Sequence, residues 1–220
     1  MKKIQKVIIA MVDDVTKMLT INCVKKLLPE AQVIDGRTDL EIYYYLHNVE
    51  DNILLIFDRF FNGYILKYKL MYYRSLNERM KIIFVEYGYC VPELGLRLHE
   101  ANADGFVCDI EKESELTKGL NTIIDGGEYF PEVVKVQVKS GEKEDKKRIT
   151  HELTDREYQI AIYKGKGFSN KEISFALGIT DDCVRQHSSA MCRKIGWKSP
   201  NDLYLLNQRL AAFDIRSWHC

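Results

Sequence analysis

Residues 169–195, SNKEISFALGITDDCVRQHSSAMCRKI, leave little choice of conformation: they read as two short helices joined by a tight turn. Ser169 and Glu172 stand at capping-box spacing, where the hydroxyl accepts from a free first-turn N–H and the glutamate reaches back. Ile173, Ala176 and Leu177 then fall on one face, and Gly178 follows where a left-handed residue closes a helix. Thr180 can cap the second helix, with Asp181 and Asp182 complementing the positive end of its dipole. Val184, Met191 and Ile195 form its apolar stripe, which turns Arg185, Gln186, Ser189 and Arg193 outward.

A helix, a glycine turn and a second helix with an outward row of hydrogen-bonding side chains are the parts of a helix-turn-helix. Polar-faced helices also occur in any helical bundle, so the wider stretch has to narrow the reading. LTDRE at 153–157, GFSNKEI at 167–173, Leu177, Ile179, Thr180, VRQH at 184–187 and RKIGW at 193–197 follow in order. With these marks, residues 153–210 resemble the LuxR/NarL (GerE-like) DNA-binding domain. The resemblance implies an all-α four-helix domain that binds double-stranded DNA, usually as a dimer, with its third helix in the major groove. Carried over by position, it implies base reading by Arg185, Gln186 and Ser189 and backbone contacts from Lys171, Thr180 and Lys194, with Arg193 beside them. Three positions depart from the family pattern: Cys183 replaces a usual Thr, Ser189 a frequent Lys or Arg, and Pro200 a common basic residue. The target sequence therefore does not carry over.

At 220 residues and 46% hydrophobic content the chain can build two ordinary globular domains. Its formal net charge of zero hides an asymmetry. From Arg148 onward eleven Lys and Arg stand against eight Asp and Glu, leaving +3 there and −3 before it. A mildly basic C-terminal part suits a DNA-facing surface. The six cysteines include no CxxC pair and no zinc-site spacing, so a disulfide framework or zinc site is not expected. Free thiols, an apolar start cut off by Asp13 and Asp14, and the lack of a membrane-length apolar run predict a cytoplasmic protein without membrane attachment.

Before residue 130 the pattern changes. KVIIAMV at 6–12, QVID at 32–35, NILLIF at 52–57, KIIFV at 81–85 and GFVC at 105–108 are strand-length apolar runs separated by helix-sized segments. The first of these segments, residues 16–28, places Met18, Leu19, Ile21, Val24, Leu27 and Leu28 at near-helical spacing before Pro29. Such alternation predicts an α/β doubly wound parallel sheet, flavodoxin-like, whose chemistry sits at the strand carboxyl ends. Asp13, Asp14, Asp58, Glu86 and Asp109 fall there.

VDD at 12–14, Asp58, ADGF at 103–106 and GGEYFPEVV at 126–134 make residues 5–128 resemble a response-regulator receiver domain. In that family the acidic pair holds Mg²⁺, the third-strand Asp accepts a phosphoryl group, and a hydroxyl residue and a lysine sense it. Glu86 stands at the hydroxyl position, Asp109 at the lysine position, and RFFNG after Asp58 lacks the usual proline. Two extra carboxylates would repel an aspartyl phosphate rather than offset its charge. The expectation is a degenerate pseudo-receiver that does not work by ordinary aspartyl phosphorylation. Asp13, Asp14 and Asp58 could still hold a divalent cation such as Mg²⁺ weakly, although no cofactor is required. Phe106 matches the family's switch aromatic and equally suits a plain core position.

The expected organisation is thus a pseudo-receiver at 1–130, a mixed-charge linker at 131–150 and a DNA-binding domain at 151–220. Lys143, Lys146, Lys147 and Arg148 give the linker a basic run, and Ser199–Pro200 would open a last helix carrying Leu203, Leu206 and Leu210. The leading expectation is a homodimeric, DNA-binding transcriptional regulator. The alternative is an interaction subunit that heterodimerises with another regulator and has little DNA affinity of its own. An enzyme ranks third, because no nucleophile and base stand at recognisable spacing.

Overall fold

The computed structural model describes residues 3–47, 52–58, 67–88, 90, 92–110, 113–141, 153–165 and 167–195. They fall into two compact units, Met1–Gln137 and Val138–Cys220. The basic run at 143–148, the loop after Asp58 and the helix expected from Ser199 lie outside the described residues.

In the first unit five parallel strands stand in the order β2-β1-β3-β4-β5: β1 (Lys6–Ala10), β2 (Gln32–Asp35), β3 (Ile53–Phe57), β4 (Lys81–Val85) and β5 (Gly105–Val107). The order reverses at β1, so the C-terminal ends of β1 and β3 form the topological switch point of a doubly wound sheet. Strands β1, β3 and β4 are almost wholly buried, which is why they read as unbroken apolar runs rather than alternating ones. The first run predicts seven residues and the strand has five, because Met11 and Val12 already belong to the loop leading to Asp13.

Helices α1 (Asp14–Leu27) and α5 (Glu113–Ile124) cover one sheet face. There Cys23, Val24, Leu116, Leu120 and Ile123 pack with Val7, Ile9, Leu54, Ile56, Ile83 and Val85. The other face carries Ile8 against Ile42 of α2 (Asp39–Leu46) and an aromatic column of Phe57, Phe84 and Phe106, whose edge-to-face rings lie 5.0 and 5.7 Å apart. Phe106 is fully buried in that column, so it occupies the core position. The α1 face differs from the sequence expectation: Thr16, Thr20, Cys23 and Val24 are buried, whereas Met18 is 62% exposed. Two small threonines let α1 lie close to the sheet, which rotates the bulkier Met18 outward.

Helices α3 (Lys67–Leu76) and α4 (Pro92–Glu100) complete the layer with α2, and Asp104 ties α3 to the sheet. Its carboxylate accepts from Ile82 N at 2.8 Å, pairs with Arg74 at 2.7 Å and with Lys81 at 2.8 Å, and is nearly buried. Arg74 also donates to the carbonyls of Met80 and Asn102. One side chain thus joins α3, β4 and the turn before β5.

The segment read as linker opens instead as helix α6 (Glu132–Gly141). Its charge pattern hides one anchor, the fully buried Val134. A Cβ on Gly95 of α4 would come within 2.5 Å of Val134, so the glycine leaves the hollow that Val134 fills. The second unit comprises α7 (Asp155–Gly165), α8 (Asn170–Leu177) and α9 (Asp181–Ile195), which meet around Ile160, Ile173 and Val184.

Replacing Asp104 with alanine would leave Arg74 and Lys81 without their shared partner and Ile82 N–H without an acceptor. Loss of one member of such a largely buried ionic group costs about 3 kcal/mol. Urea unfolding of the Asp104→Ala variant should show a midpoint shift of that size, and a shift within error of zero would contradict the bridging role.

Candidate nucleic-acid interface and acidic pocket

Each boundary of the α8–α9 pair is set by a local hydrogen bond. Ser169 Oγ accepts from Glu172 N at 3.3 Å while Glu172 Oε2 accepts from Ser169 N at 2.7 Å. These bonds hold the Glu172 carboxyl below its ordinary pKa. Gly178 adopts φ 62 and ψ 34, the left-handed conformation that ends α8 without strain for a residue lacking Cβ. Its N–H and that of Ile179 satisfy the last carbonyls of the helix. Thr180 Oγ1 then accepts from Cys183 N at 3.2 Å and opens α9.

Among the described residues, helix α9 is held from one side. Val184 and Met191 are fully buried and Ile195 is half-buried, while Arg185, Gln186, Ser189, Arg193 and Lys194 are exposed. Lys171 and Thr180 are exposed as well. On α8 the apolar face is narrower than expected: Ile173 is buried and Leu177 half-buried, but Ala176 lies outside it with Phe175, which is 93% exposed. Three-residue spacing from Ile173 therefore carries a side chain off the contact, and four-residue spacing keeps it on.

Two of the cations already have protein partners. Arg185 is bound to Asp182 at 2.6 Å and to Asp181 at 3.4 Å, across one turn of its own helix. The bond to Asp182, followed by the charge of Asp181, raises its pKa further, so it remains a guanidinium throughout. Lys194, expected to touch DNA backbone, donates to Glu157 at 2.6 Å. Glu157 is buried near the start of α7, where its carboxylate also accepts from Thr154 N at 2.8 Å in a second capping box. Lys194 is therefore a strut between α9 and α7. Burial disfavours the Glu157 carboxylate, yet the Lys194 and Thr154 bonds outweigh it and hold its pKa below the ordinary 4.5. The partners are 37 residues apart, so no local pattern announces the pair. The Asp182–Arg185 contact, in contrast, is local, an opposite-charge pair three residues apart on one helix.

The carboxylates of the first unit do not gather as the strand-end pattern suggests. Asp58 is buried, and its Oδ2 accepts from Val12 N at 3.0 Å and Asp13 N at 3.2 Å. Asp13 turns its own carboxylate to Thr16 N at 2.7 Å and caps α1, and Asp14 is exposed in the first turn of that helix. Capping draws Asp13 away from Asp58, and among the described residues no three His, Cys, Asp or Glu side chains are grouped to hold a metal ion. The weak divalent site expected at Asp13, Asp14 and Asp58 is thus not formed in this arrangement. Glu86, by contrast, is buried at the end of β4 rather than turned to solvent. Asp109 is half-buried with φ 57, a left-handed conformation that Asp tolerates better than most residues.

Comparison with known proteins agrees with both halves. Residues 151–206 match the family of bacterial regulatory proteins, luxR family. The Fimbriae Z protein of Escherichia coli K12 is 29% identical over 103 residues, covering 47% of this chain and 49% of that protein. The transcriptional regulatory protein UhpA of the same organism is 29% identical over 105 residues, covering 48% and 50%. The chain spans about half the length of the curated relatives it matches. RcsB from Salmonella enterica serovar Typhimurium, solved bound to promoter rprA in the presence of phosphomimetic BeF3-, superposes with TM-score 0.57 at 17% identity over 93% of this chain and 98% of that one. At that identity the likeness is one of fold: a receiver-like sheet domain followed by a helix-turn-helix domain, in the manner of response regulators.

The Lys194–Glu157 strut predicts a pH signature. Because the folded pKa of Glu157 lies below 4.5, its contribution to stability is complete above that value and is lost as the pH falls through the folded value. Lys194→Met should cost the second unit about 2 kcal/mol at neutral pH, less than a fully buried pair because the lysine is part-exposed. The variant should also lose less stability than the parent on acidification, as measured by thermal melts between neutral pH and pH about 3.

Proposed function

We propose, from the premise that residues 151–206 form a luxR-type helix-turn-helix domain, that the chain is a cytoplasmic, sequence-specific DNA-binding transcriptional regulator. The carrying observation is the one-sided anchoring of α9. Its apolar face is spent on Ile160 and Ile173, leaving Arg185, Gln186, Ser189 and Arg193 exposed along the other. In the major groove the Arg185 fork suits the two acceptors of guanine and the Gln186 amide suits adenine. Lys171 and Thr180 flank this row and suit phosphate contacts that set register. The working form is a homodimer on double-stranded DNA, as the resemblance implies, and the protein is a regulator rather than an enzyme.

Control by ordinary aspartyl phosphorylation is not part of the proposal. Buried Glu86 stands where the receiver family uses a hydroxyl residue, and Asp109 stands where it uses a lysine. A phosphoryl group on buried Asp58 would add negative charge where those two positions carry carboxylates instead of a hydroxyl and a lysine. A second reading, a subunit that pairs with another regulator and has little DNA affinity of its own, draws support from Ser189 and Cys183 at positions usually held by other residues. It also draws support from the carboxylates that already engage Arg185.

Arg185→Ala is expected to flatten base preference by about 1 to 3 kcal/mol at one position of the site. Lys171→Ala is expected to weaken all duplexes alike and to reduce the slope of log affinity against log salt by about one. Selection from random duplexes followed by titration at several salt concentrations reads both. Equal losses on selected and random DNA for Arg185→Ala would count against base reading, and no selected sequence from the pure protein would favour the partner-subunit reading.

Acetyl phosphate with Mg²⁺ should leave the intact mass of the full chain unchanged. Stoichiometric phosphorylation at Asp58 would overturn the pseudo-receiver reading.

A further inference from the structure

The outward row of α9 begins one turn before Arg185. Asp182, Arg185, Gln186, Ser189 and Arg193 are all exposed, and their spacing from turn to turn keeps them on one face of the helix. Asp182 opens that row with its side chain 78% exposed. Its neighbour Asp181 is set differently: that side chain is 34% exposed and its Oδ1 is buried. A helix N-terminus favours a carboxylate in its first turn, and Asp181 already supplies one. The dipole therefore does not account for a second carboxylate at the head of the outward row.

Resting on the reading of α9 as the DNA-recognition helix, we propose that Asp182 is a further specificity-determining residue. Its carboxylate accepts from the amino group of a cytosine next to the guanine that Arg185 reads. The N-terminal residues of a recognition helix are the ones that meet base edges. A carboxylate there is repelled by the phosphates and by the groove acceptors of guanine and thymine, so only the amino groups of cytosine and adenine offer it a hydrogen. Adenine sets its N7 acceptor beside that amino group, which suits an amide and opposes a carboxylate, whereas cytosine sets no acceptor there. Three residues of α-helix rise about 4.5 Å, close to one base-pair step of about 3.4 Å, so Asp182 and Arg185 address neighbouring pairs.

In the structure the two side chains satisfy each other at 2.6 Å. Both are exposed, so water weakens their attraction and the pair can be exchanged for other partners. A guanine and a cytosine together make that exchange complete: the guanidinium gains two acceptors and the carboxylate gains a donor. With the guanine alone, the carboxylate is left in the groove without a hydrogen to accept. The two residues thus choose two adjacent bases jointly.

The test is selection of sites from random duplexes by the full chain, repeated with Asp182→Asn and Asp182→Ala. The parent is expected to select cytosine beside the guanine whose preference Arg185→Ala flattens. Asp182→Asn should exchange that cytosine for adenine, and Asp182→Ala should erase a preference of roughly tenfold there, with every other position keeping its base. On the unaltered chain, N4-methylcytosine at that position keeps the Watson–Crick hydrogen and loses the one facing the groove, and should weaken binding by about the same tenfold. Sequences selected identically by the parent and both variants would overturn the assignment and leave the DNA-reading premise standing. A gain shared equally by all duplexes on removing the carboxylate, with base preference unchanged, would do the same. No sequence selected by the parent would overturn the premise and the assignment together.

Discussion

Ile160, Ile173 and Val184 meet in a cluster from which water is excluded, and the direction in which α9 faces follows from that contact. A helix can bury only part of its circumference against two neighbours, so fixing Val184 and Met191 inward fixes Arg185, Gln186 and Ser189 outward. The turn at Gly178 sets how far the two helices diverge, and the Lys194–Glu157 bond fixes the far end of α9 to α7. Base-reading geometry would then be a by-product of a small apolar contact and one ion pair, not of the polar residues themselves.

The first unit combines a receiver-like sheet with carboxylates at the ends of several strands. The sheet order and the position of Asp58 at the switch point remain. The N–H groups of Val12 and Asp13 donate to Asp58, Asp13 caps α1 with its own carboxylate, and Glu86 is buried. Fixed N–H dipoles stabilise one carboxylate well, but they do not offset the larger charge of a phosphorylated one.

Features specified within a few residues were legible in the sequence. The Ser169–Glu172 cap, the Gly178 stop and the buried strands β1, β3 and β4 could all be read because each depends on neighbours in the chain or on a continuous apolar run. What could not be read depends on distant partners. Helix α6 looked like linker because its one anchor, Val134, becomes informative only beside Gly95. The Lys194–Glu157 bond could not be read because its partners lie far apart in sequence. Met18 looked like core because side-chain character was weighed over size, whereas the small Thr16 and Thr20 were what the close approach of α1 required.

The pairing of Arg185 with Asp182 bears on how a reading helix searches. A guanidinium that already has a carboxylate partner gains from a base edge only the difference between the two bonds, and a mismatched edge returns less than the partner it displaces. If α9 reads bases as proposed, the arginine would stay folded onto its own helix on random duplex and add little residence time. At a matching step it would swing away and both acceptors of the base would replace the aspartate. The acidic neighbours would then act as a threshold, trading grip on the bulk of the genome for contrast at the few places that fit.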